Sequence, residues 1–246
     1  MARSAPGPRT TGVLLIGSAV VVTVAFAGLG SAFDYPDVLG RPAELVLTDF
    51  GARAWAVGGL FTLLALGAAM LAPIALGTAR LAGPGRWSTA AAVTGVGAAL
   101  VQLLGLARWP LLVPSLAATV ADPASSATDR AAAVERFVGL NTVLGQGLGE
   151  SGGYLLTAAW TVLILLALRR RPTAPRVFAV VGLLSAALIL CGLLVPLGVS
   201  GADTANFAGF LLWSAWIVWF GVLVLRSAFR APAASAPGPA PQPLPA

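Results

Sequence analysis

Two motifs that could do chemistry overlap in one short stretch, "LGQGLGESGG", from Leu144 to Gly153. Gly147-Leu148-Gly149-Glu150-Ser151-Gly152 fits G-x-G-x-x-G, the pattern of a dinucleotide-binding turn. Gly149-Glu150-Ser151-Gly152-Gly153 fits G-x-S-x-G, which in hydrolases lifts a nucleophilic serine onto a sharp turn. Ser151 would need a base to take its proton, and the chain holds neither histidine nor lysine. The same absences remove a histidine metal site, a Walker lysine and a Schiff base. The cofactor reading needs a strand, a tight turn and then a helix whose N-terminus meets the pyrophosphate. Here the motif is followed by "YLLTAAWTVLILLALRRR", an apolar run. No catalytic residue, no cofactor and no metal ligand is therefore expected.

The glycines have a packing reading instead. Gly145, Gly149 and Gly153 sit four apart, so on a helix they line one face and let a neighbouring backbone come close. Asn141 continues that row one step earlier. Beside it runs a polar row, Thr142, Gln146 and Glu150, with Thr157 a step further round. Glu150 is the one acid close to an apolar run. It reads either as a carboxylate at the membrane interface or as part of a pocket. Gln102, Gln146, Glu150 and Asn206 form the candidate polar pocket.

These residues must be held by helices in lipid. The chain has 246 residues, 58% hydrophobic and 10% charged, against about 25% charged in soluble domains. Too little polar surface remains for a soluble fold of this length to face water. Six runs are long and apolar enough to cross a bilayer: Thr10–Phe33, Ala54–Ala79, Trp87–Ala107, Ser151–Leu168, Val177–Ala202 and Thr204–Leu225. The expected fold is all-α, a polytopic bundle of six transmembrane helices over residues 10–228. Residues 1–9 precede it. A proline- and alanine-rich tail, 229–246, cannot build a core and is expected to be disordered.

Arginine placement orients the bundle. Arg3, Arg9, Arg80, Arg86, Arg169, Arg170, Arg171, Arg176, Arg226 and Arg230 fall on one side with no acid. All 9 acids fall on the other, with Arg41, Arg53, Arg108, Arg130 and Arg136. Both termini are expected in the cytoplasm. The N-terminus also has the form of a signal peptide with an "AFA" site, but its apolar run is long for one, so a retained first helix is expected. The net charge of +6 does not imply nucleic acid, because the basic residues lie between apolar runs and form no stripe.

The connections carry further signals. Pro110 and Pro114 should break the third helix, and Pro196 should kink the fifth span. "SATDRAAAVERFVGLNTVL" has helical composition, with Ser126 and Asp129 as its start, and either lies outside the membrane or leads into the fourth span. "SGADTAN" predicts a tight hairpin between the last two spans. Trp55, Trp87 and Trp109 are expected as interfacial anchors; Trp213, Trp216 and Trp219 give the sixth span an aromatic side. Cys191 reads as a small buried hydrophobe.

The six-span layout, the loop "FDYPDVLGRPAE" after span one, the long third outside loop and the glycine-rich start of span four resemble the bacterial domain of unknown function 4386 family over residues 10–228. The resemblance implies a bacterial inner-membrane protein and brings no activity or catalytic residue with it. The expected function is a non-enzymatic membrane protein that binds a small or lipophilic ligand, or a partner membrane protein or second copy. A small-molecule transporter or permeation protein is the alternative, and an intramembrane enzyme using carboxylate, arginine or tyrosine chemistry comes last.

Overall fold

The computed structural model describes residues 5–169 and 175–230, and these contain ten α-helices and no strand. They are α1 (Pro8–Phe33), α2 (Ala43–Ala52), α3 (Ala54–Ala69), α4 (Leu71–Ala82), α5 (Arg86–Leu111), α6 (Val113–Ala121), α7 (Ala127–Leu140), α8 (Gly153–Leu168), α9 (Arg176–Leu190) and α10 (Ala202–Arg230). Six helical segments are long and apolar enough to cross a membrane: Pro8–Phe33, Ala54–Ala82, Arg86–Ala121, Ala127–Leu168, Arg176–Leu197 and Ala202–Arg226. Arg3, Arg170, Arg171 and the tail from residue 231 lie outside the described residues.

Prolines explain where the long spans are broken. Pro73 cannot donate to the Ala69 carbonyl, and α3 gives way to α4 at Met70. α5 runs through Pro110 and breaks only at Leu112; Pro114 then stands in the first turn of α6, where a missing N–H costs nothing. Pro196 lies within a 3-10 stretch, Cys191–Leu197, that continues α9. The turn to α10 uses positive φ at Gly198 and Gly201, 74° and 77°, where a side chain would be strained. At α7, the Ser126 hydroxyl accepts from the Asp129 N–H at 3.1 Å and caps the helix.

α7 does not end before the fourth span. It continues without a break through a π-helical segment, Asn141–Gly152, into α8. This segment is the glycine-rich stretch. A π-helix of this length is unusual, since such geometry is mostly confined to single-turn bulges at functional sites.

Two aromatic cores are stacked along the bundle. At one end, here the capped end, α2, α6 and α7 fold over the tips of α1, α3 and α5. Trp109 is fully buried at the centre of this cap, stacked on Phe61 at 4.5 Å and edge-on to Phe33 at 5.4 Å. Trp109 is thus a core residue and not the interfacial anchor its position suggested. Trp55 is 96% exposed at the start of α3. At the opposite end, the arginine end, Trp160, Phe178, Trp216 and Phe220 join α8, α9 and α10. α1 belongs to both cores and lies along α10, where a Cβ on Gly221 would come 2.9 Å from the Gly12 carbonyl.

Candidate functional site

The site lies between the two cores, where α5 meets the π-helical segment. Gln102, Gly105 and Arg108 recur every three residues, so they share one face of α5. That face meets the glycine row in antiparallel order. A Cβ on Gly153 would lie 3.0 Å from Gln102 Cγ; one on Gly105, 2.6 Å from Gly149 Cα; and one on Gly145, 2.7 Å from Arg108 Nη2. At Gly105 and Gly149 backbone meets backbone, which only residues without a side chain allow. At Gly145 the missing side chain makes room for the guanidinium.

Arg108 is 4% exposed. Its Nη2 donates to Asn141 Oδ1 at 2.8 Å, and its Nη1 donates to the Gly105 carbonyl. Its Nε–H is buried and has no acceptor among the described residues. The guanidinium carbon stands 5.4 Å from the Trp109 ring centroid, within cation–π range. No carboxylate lies within ion-pairing distance of it; the ion pairs among the described residues join Arg41 to Asp34 and Asp49, at the surface of the cap. A buried cation without a contacting anion is costly in any low-dielectric setting.

Glu150, on the π-helical segment, is half-buried and makes no hydrogen bond or contact ion pair among the described residues. Its field reaches Arg108 without contact. The chain has 2 tyrosines, Tyr35 and Tyr154, and both converge here within electrostatic reach of Glu150. Burial pushes the Tyr35 phenol up to about 12; the smaller effects of Arg108 and Glu150 act in opposite directions. Tyr35 is therefore a neutral hydroxyl at every physiological pH.

The expected pocket residues are placed around this cluster but are not joined to one another. Gln102 Nε2 donates to Thr157 Oγ1 and to the Ala98 carbonyl, each at 3.2 Å. Thr161 and Trp213 extend this polar seam to α10, with Trp213 Nε1 donating to Thr161 Oγ1 at 2.9 Å. Asn206 Nδ2 donates to the Ile189 carbonyl at 2.6 Å and stands beside Tyr154 across Gly192. Gln146 is exposed. No hydrogen bond links any two of Gln102, Gln146, Glu150 and Asn206 among the described residues.

Arg108, Tyr35 and Tyr154 lie outside the set that the sequence singled out. Arg108 reads there as a charge at the mouth of a loop. The available signal was "RWPLLVP", in which Arg108 is followed by a run too apolar for an exposed connection. The two overlapping motifs take no part as motifs. Gly147 to Gly152 are helical throughout, so the stretch forms neither a phosphate-binding turn nor a nucleophile elbow.

Six apolar spans around a buried polar layer define a multi-pass helical membrane protein, with the lipid bilayer as its surroundings. The family described as Domain of unknown function (DUF4386) matches residues 10–223, and the chain belongs to that family. No curated protein and no solved structure matches it.

Proposed function

We propose that this is a non-enzymatic binding protein of the bacterial cytoplasmic membrane, with both termini in the cytoplasm, which holds a small or lipophilic ligand in the polar layer around Arg108 and Glu150. The observation that carries this reading is Arg108: 96% of it is out of solvent, and among the described residues its Nε–H has no acceptor and no anion touches it. Intramembrane charges kept at such cost tend to mark ligand or ion sites. The arginine asymmetry supports this orientation, with the capped end outside. Against a permeation pathway stands the aromatic core of Trp160, Trp216 and Phe178, which fills the bundle between the polar layer and the arginine end. A second copy or another membrane protein remains a partner of the exposed apolar flanks, such as Val180 and Leu184 of α9.

The test is a thermal titration. Delipidated protein in detergent is melted while a polar extract of bacterial membrane is added. A ligand of the folded state raises the melting temperature saturably, and Glu150→Gln should blunt that rise. A shift that never saturates and is the same in the variant would mean bulk solvation alone and would end this reading.

A further inference from the structure

The chemistry of the layer narrows the ligand. Arg108 offers a guanidinium with an unused Nε–H, and Glu150 offers a carboxylate with no donor. The two charges attract each other but do not touch. A simple anion on Arg108 would be repelled by Glu150. A simple cation on Glu150 would be repelled by Arg108. An occupant that satisfies both must carry an oxyanion at one end and an ammonium at the other.

The surroundings fit such a group. Tyr35 and Tyr154 both lie within electrostatic reach of the carboxylate, and an aromatic face is a good neighbour for an ammonium. Asn141, already bonded to Arg108, can turn its amide to a second oxyanion oxygen.

Resting on the binding role proposed above, we infer that the ligand is a compact zwitterion, its phosphate or carboxylate on Arg108 and Asn141 and its primary ammonium on Glu150. Two sources carry that chemistry: the headgroup of phosphatidylethanolamine, or a free zwitterion such as phosphoethanolamine.

Native mass spectrometry and thermal melting of the full chain separate the possibilities, with phosphatidylethanolamine, phosphatidylglycerol and free phosphoethanolamine as probes. Wild-type protein should retain phosphatidylethanolamine over phosphatidylglycerol by about tenfold, the worth of one charge-assisted contact. Glu150→Gln should bring the two lipids to near parity, and Arg108→Gln should lower retention of both. If free phosphoethanolamine raises the melting temperature and competes the lipid away, the soluble zwitterion is the ligand; if it does neither while the lipid preference holds, the lipid is. Either result supports the zwitterion. Equal retention of both lipids by wild type, dependent on Arg108 alone, would overturn the zwitterion while leaving a binding site. Retention of neither lipid, with no melting shift from any probe, would overturn both. The wild-type lipid preference decides the matter even where Arg108→Gln fails to fold.

Discussion

At Gly105 and Gly149 two helices touch through their backbones, and a single methyl group tests the contact. Alanine at Gly105 would drive its Cβ to 2.6 Å from Gly149 Cα and 2.8 Å from the Leu144 carbonyl. Gly105→Ala should lower stability by about 1–3 kcal/mol, the range for overpacked interiors, measured by unfolding in detergent. Gly139→Ala on α7 meets nothing within 4 Å and is the control, expected to be neutral or slightly stabilising. Tyr35 gives a pH signature. Its folded-state value, about 12, lies above its ordinary value of 10.0. The unfolded chain therefore loses this proton first, and the stability tied to the neutral phenol is complete below pH 10 and drains away as pH rises towards 12. The difference between wild type and Tyr35→Phe in an alkaline absorbance titration should show a phenolate appearing near 12; ionisation near 10 would refute its burial. The glycine row was legible because a four-residue spacing is a property of sequence alone. Arg108 and Trp109 were not. Both stand just before Pro110 and look like the start of a loop, and only the folding of α2, α6 and α7 over them makes them interior.

At the scale of elements, proline and capping chemistry set most of the boundaries. Ser126→Ala removes the acceptor for the Asp129 N–H and should cost about 1 kcal/mol, with amide exchange rising in the first turn of α7 and not in α8. Uniform exchange across both helices would show that the cap is irrelevant. The six apolar runs were legible because charges are rare enough in this chain to mark each end. The continuity of α7 into α8 was readable as one of two outcomes. The π-helical geometry of Asn141–Gly152 was not readable: small residues at i and i+4 suit an α-helix, and nothing local announces a wider turn. The segment brings Asn141 to Arg108 and lays Gly149 on Gly105.

For the whole molecule, the arginines and the cap make opposite ends chemically distinct. A reporter that is active only outside should be silent after Arg230 and active between Ala121 and Ala127; the reverse would invert every statement of sidedness. The mature protein should also retain α1, because Leu15, Ala25 and Leu29 are fully buried and span both cores. Mass measurement of the purified chain checks this, and loss of the first helix would contradict it. The most direct test of the central claim, that Arg108 and Glu150 are held apart for a ligand, is a structure determined in a bilayer of bacterial polar lipid. The account predicts ordered non-protein density bridging the Arg108 guanidinium and the Glu150 carboxylate. A direct ion pair between the two, with nothing between them, would contradict it.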